Sequence, residues 1–114
     1  MGPSAAFVLM ACLQEEALVS PEVAADGKVT FRIRAPKAEH VTLSSWELRP
    51  WAGGPKKELA KDDRGTWSLT LGPIDPGIYD YSFDVDGVRA IDMASGQVFS
   101  NRWGARGVVE VPGP

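Results

Sequence analysis

A chain of 114 residues with 44% hydrophobic content is long enough for one packed core and too short for two. Twelve basic against fifteen acidic residues leave a formal net charge of −3, and no run of Lys or Arg exceeds two, which argues against a nucleic-acid partner. A lone cysteine, Cys12, excludes an internal disulfide framework and a zinc cluster, so the fold rests on packing and no metal or other cofactor is expected.

Residues 1–17 differ from the rest. The apolar run Ala5–Leu13 is too short to span a bilayer. Two readings stay open: the hydrophobic part of a secretory signal, with Leu9-Met10-Ala11-Cys12 similar to a bacterial lipoprotein cleavage box although no Lys or Arg precedes it, or a leftover or helical tail packing its apolar side on the domain. The first implies a secreted or periplasmic protein without a membrane span. The domain proper is expected over residues 18–114.

From Leu18 onward, short alternating runs are separated by turn chemistry. Asp26-Gly27 leads into Lys28–Arg34, where Val29, Phe31 and Ile33 point inward and the intervening polar residues point to water. Ala35-Pro36 ends that strand, since proline cannot donate to a ladder. Val41–Ser44 alternates again. From Ser45 to Lys61, Pro50, Gly53, Gly54 and Pro55 predict a long irregular loop, and loops of that length are disproportionately functional.

Asp62–Gly65 is a turn, and Thr66–Leu71 directs Trp67, Leu69 and Leu71 to the core. In Gly77–Val85, Tyr79, Tyr81, Phe83 and Val85 share one face, and Asp80, Ser82 and Asp84 share the outward one. Asp86-Gly87 then supplies the two positive-φ residues of a type I′ hairpin, with Val88 opening the return strand. Gly107–Val111 closes the domain. No helix of useful length is expected after Ser20. The whole reads as an all-β, immunoglobulin-like sandwich of about seven antiparallel strands.

Catalytic constellations are missing. There is no Gly-x-Ser-x-Gly elbow; His40, the only histidine, is a strand-edge residue expected in solvent; and Cys12 has no basic neighbour to lower its pKa. Ser82-x-Asp84-x-Asp86-Gly87 opens like a calcium loop, yet its twelfth position is Met93 and its flanks are β, so the acids read as the outer face of a strand. The chain is not expected to be an enzyme on its own.

Four tryptophans exceed what one small sandwich core demands. Trp67 belongs to the core by alternation. Trp46 and Trp51 fall in the long loop and Trp103 falls in Ser100–Gly104, positions where exposed rings form an apolar platform for the C–H face of a sugar. The competing reading folds the three rings back over the edge of the sandwich.

Ser20–Val23, Lys28–Pro36, Asp62–Trp67, Pro76–Phe83 and Val85–Gly87 together resemble an early-set, immunoglobulin-like module of carbohydrate-binding module family 48, over about residues 18–112. Val19–Val23 and Val108–Gly113 are similar, more narrowly, to the version at the N-terminus of bacterial feruloyl and acetylxylan esterases, where an α/β-hydrolase domain follows. The resemblance implies two tryptophans, a lysine and an asparagine as glucan contacts. Here the lysine falls on Ser82, the second tryptophan on Arg89 and the asparagine on Arg106 or Gly107, and the first tryptophan corresponds to Trp51 or Trp46.

The resemblance therefore implies a non-catalytic accessory module of a carbohydrate esterase. Such a module is expected either to bind a plant polysaccharide such as xylan, with Trp46, Trp51 or Trp103 as the stacking ring and Arg89 or Arg102 meeting hydroxyls or uronate groups, or to position an adjoining esterase domain. A docking domain without sugar binding and a glucan-binding module are the alternatives.

Overall fold

The computed structural model describes residues 18–92, 98–101 and 104–113, with 98–101 and 104–105 described by backbone alone. The expectations for residues 1–17, and those for Arg102 and Trp103, lie outside the described residues.

Among the described residues ten strands form two sheets, more than the seven legible in the alternation. The first sheet holds β1 (Glu22–Val23), β2 (Val29–Arg34), β5 (Ala60–Lys61) and β6 (Thr66–Leu71) in the order β1-β2-β6-β5. The second holds β3 (Val41–Ser44), β4 (Lys56–Glu58), β7 (Gly77–Val85), β9 (Val98–Asn101) and β10 (Gly104–Val111) in the order β4-β3-β7-β10-β9, with β8 (Val88–Ala90) paired to β7. Every pairing is antiparallel. The protein is an all-β, immunoglobulin-like sandwich.

Alternation places the core as expected. Val29 and Phe31 from β2, Trp67 and Leu71 from β6, Val41 and Leu43 from β3, Tyr81 and Phe83 from β7, and Val109 and Val111 from β10 are all buried. Burying each large apolar side chain contributes about 1.5–3 kcal/mol. At the centre, Phe31 and Tyr81 meet edge to face with ring centroids 4.7 Å apart, and Phe83 meets Tyr81 at 6.0 Å. Ile33, Leu69, Tyr79 and Val85 are half-buried against this cluster. The Trp67 indole N–H donates to the Ala35 carbonyl at 2.9 Å, which satisfies its one polar atom. The hairpin after β7 has Asp86 and Gly87 at φ 49° and 88°, and the Asp86 carboxylate also accepts the Glu39 and His40 N–H groups.

The stretch 45–61 departs from expectation, because it is regular. A single helical turn, α1 (Arg49–Ala52), ends at Gly53, whose left-handed φ of 80° lets its N–H return to the Arg49 carbonyl. Pro50 stands in the first turn, where a helix has no use for an N–H. The residues read as breakers are thus the terminators of one turn. β4 then adds to β3 and β5 to β6, so the chain crosses from one sheet to the other at Leu59, which is buried between them.

A polar cluster lies inside the sandwich. Asp92, 2% exposed, accepts the Tyr81 hydroxyl at 2.8 Å and the Ser20 hydroxyl, and Ser20 Oγ accepts the Arg32 N–H at 2.9 Å. The entering chain, β2 and the segment after β8 are thereby joined to the central aromatic residue.

Candidate functional site

The candidate site starts where β3 stops. β7 pairs with β10 over Gly77–Tyr81 and with β3 over Ser82–Val85, so a continued β3 ladder would set Trp46 opposite Asp80. The chain turns away instead, and side chains take over the ladder. Ser45 Oγ donates to the Asp80 carbonyl at 2.7 Å and accepts the Leu48 N–H at 3.0 Å, while Glu47 Oε1 accepts the Asp80 N–H at 2.8 Å. Leu48 plugs the core beneath, fully buried. The loop is therefore held from three sides, and Trp46 projects from it with 65% of its surface exposed. The Arg49 guanidinium lies 3.8 Å from the centroid of the Trp46 ring and its Nη1 donates to the Trp46 carbonyl.

Trp51 has a different fate. It is half-buried against the core and meets the Tyr79 ring edge-on, centroids 5.6 Å apart. The Tyr79 hydroxyl donates to the Asp75 carbonyl at 2.7 Å, and its phenol is held above its ordinary pKa, first by burial and then by the Asp75 and Glu47 carboxylates. Trp46 thus stands ahead of α1 and Trp51 within it, and among the described residues Trp46 is the exposed tryptophan.

Beside Trp46 runs the outward face of the second sheet, where Thr42 and Ser44 of β3, Asp80, Ser82 and Asp84 of β7, Lys56 of β4, Arg106 of β10 and Arg89 of β8 share one side by register. This face is not simply solvated, as its sequence suggests. Arg106 donates through Nε to Asp80 at 3.1 Å and through Nη2 to the Ser44 carbonyl at 2.8 Å, lying across β7. Ser82 is consequently fully buried, and its hydroxyl has no partner among the described residues. Lys56 pairs with Asp84 at 3.2 Å. Arg89 is exposed and stands opposite Asp84 on the edge of β7 away from β3, about 13 Å along the strand from the level of Asp80, to which the Trp46 loop is bonded.

His40 is exposed, its ring 3.6 Å from the Glu58 carboxylate. Among the described residues, no three His, Cys, Asp or Glu side chains cluster closely enough to hold a metal ion, and no helix is long and apolar enough to cross a membrane.

Ser45, Glu47 and Arg49 escaped the sequence reading. Ser45 and Glu47 carry no signal of their own, because their partner is a strand more than thirty residues away. Arg49 had one: it follows Trp46 by three residues, the spacing that stacks side chains in a helical turn.

No protein-family model matches the sequence. An endo-1,4-β-xylanase/feruloyl esterase of Xylanibacter ruminicola is 33% identical over 94 residues, a match that covers 81% of this chain and 12% of that protein. The likeness is to a small part of a much larger enzyme. Among solved structures, a pullulanase from Bacillus acidopullulyticus superposes with a TM-score of 0.59 at 25% identity, covering 82% of this chain and 12% of its own. The Group B Streptococcus pullulanase, solved with maltotetraose, gives 0.61 at 19% identity over 79% of this chain and 14% of its own, a likeness of fold alone. The relatives are carbohydrate-active enzymes, and this chain corresponds to about an eighth of their length.

Proposed function

We propose that this chain is a non-catalytic accessory module of a secreted or periplasmic carbohydrate esterase, which binds a plant polysaccharide of the xylan type on the Trp46 side of its second sheet. The observation that carries the reading is Trp46 itself: a large apolar ring, 65% exposed, on a loop whose Ser45 and Glu47 are hydrogen-bonded into the sheet. An exposed ring on a mobile loop loses entropy when a ligand orders it, whereas this loop is already ordered. Trp46 stacks on a pyranose, Trp51 supports the turn from below, and the polar face from Ser44 to Arg89 meets hydroxyl groups. Arg102 and Trp103 belong to the same proposal. The name of the relative, a xylanase and feruloyl esterase, makes a xylan the first ligand to try.

Titrating the protein with soluble xylan, glucan and feruloylated oligosaccharides while following tryptophan emission tests this reading. A saturable change with xylan supports it, a change with glucan alone redirects it to a glucan-binding module, and emission unchanged by every ligand removes it.

A second reading, docking on an adjoining esterase domain, is favoured by Ile78, an apolar side chain 66% exposed on the same outward face as Asp80. If Trp46→Ala in the full-length enzyme lowered activity on polysaccharide and on a small soluble ester alike, docking would stand in place of sugar binding.

A further inference from the structure

We infer that Arg49 makes this module selective for a polysaccharide bearing carboxylate groups, through direct contact between its guanidinium and a uronate near the sugar stacked on Trp46. The inference rests on the reading of Trp46 as the stacking ring and adds the chemical class of the ligand.

The argument begins with what Arg49 does not do. Arg32 pairs with Glu22 at 2.7 Å, Arg106 with Asp80 and Lys56 with Asp84, whereas Arg49 faces no carboxylate among the described residues. Its sequence neighbour Glu47 is turned to the Asp80 N–H, engaged with β7. Of the five N–H donors of its guanidinium, one is directed at the Trp46 carbonyl. A planar cation in that state presents its remaining donors along its edge, the geometry that takes a carboxylate with two parallel hydrogen bonds.

Position supplies the rest. The guanidinium covers the Trp46 ring on one side at 3.8 Å, and the exposure of the indole leaves its opposite face for a sugar. A pyranose in van der Waals contact with that face lies about 7 Å from the guanidinium with the indole between them, so a carboxyl on the stacked sugar does not reach it and the contact falls to a uronate branch on the next sugar, passing the edge of the indole. A neutral glucan uses the ring and ignores the cation. A uronate-bearing chain uses both.

The test is to titrate the protein with glucuronoxylan and with the same xylan after chemical reduction of its uronate carboxyls, in low salt, with Arg49→Ala and Arg49→Lys alongside the wild type. A preference of about 10-fold for the acidic polymer is expected, one charge-assisted contact, weakening as salt is raised. Arg49→Ala should abolish the preference while binding reduced xylan within about 3-fold of wild type, and Arg49→Lys should retain part of it. Equal wild-type binding to both polymers overturns the selectivity and leaves the platform standing. A preference that Arg49→Ala keeps overturns Arg49 as its source. If Arg49→Ala lowers affinity for both polymers alike, Arg49 is only a prop and the inference fails. Absence of binding to either polymer overturns the platform itself.

Discussion

Replacing Ser45 with alanine probes the joint between fold and candidate site, because this buried hydroxyl both closes the turn that presents Trp46 and fastens it to β7. The substitution removes the 2.7 Å bond to the Asp80 carbonyl and the 3.0 Å bond from the Leu48 N–H. Ser45 is 3% exposed and packs beside the fully buried Leu48, so the backbone groups it serves are poorly placed to pair with water instead. Two bonds at about 1 kcal/mol each set the cost at about 2 kcal/mol, and more if the Leu48 N–H is stranded. For a domain of this size that lowers Tm by roughly 8–16 °C. Urea unfolding followed by tryptophan emission reads the change as a shift in midpoint at constant slope. Ser44→Ala is the control, since Ser44 meets Arg106 through its carbonyl and keeps that contact. A Ser45→Ala cost below about 0.5 kcal/mol, no larger than that of Ser44→Ala, would refute the claim that side chains replace the missing ladder above Ser82.

Three further expectations follow from the packing. Gly107→Ala places a Cβ 2.9 Å from the Tyr81 ring, and because Phe31 and Phe83 hold that ring in place the overpacking should cost about 1–3 kcal/mol in urea unfolding. Asp92→Ala removes the buried carboxylate that accepts both the Tyr81 and the Ser20 hydroxyls, so a loss of about 2–4 kcal/mol is expected, with hydrogen exchange accelerated first in β1 and β8. Asp62 accepts the Arg64 and Thr66 N–H groups, and these bonds, led by that from Thr66, hold its pKa below the ordinary 3.8. The folded state then binds fewer protons than the unfolded chain, so the stability from Asp62 is complete above the ordinary value and disappears as pH falls through the lowered one. Asp62→Asn should therefore flatten the acid limb of stability below about pH 4, and an unchanged limb would contradict the assignment.

The strands were legible where a single face is buried. From Tyr79 to Val85 a period of two runs into Asp86-Gly87, and one register satisfies both signals, so the hairpin and the burial of Tyr81 and Phe83 follow. β4 was not legible, because Lys56, Lys57 and Glu58 are all exposed and a wholly exposed edge strand leaves no alternation to read. The helical turn at Arg49–Ala52 is too short for periodicity, and a Pro and a Gly in sequence are ambiguous between interruption and termination, although in the fold Gly53 is the cap. Ser82 reads as solvated by alternation and is buried because Arg106, 24 residues downstream, lies over it to reach Asp80 and Ser44. The rings divide in the same way. Which of Trp46 and Trp51 meets Tyr79 depends on the rotation of one helical turn, a property of tertiary packing that composition does not carry.

The central claim, that the exposed Trp46 ring is a sugar platform, is tested most directly by electrophoresis of the wild type and Trp46→Ala through native gels containing soluble xylan. Retardation of the wild type that is relieved by Trp46→Ala, with an affinity loss of about 10-fold or more and unfolding midpoints unchanged, is the predicted result. Equal mobility of the two proteins across all xylan concentrations would contradict it.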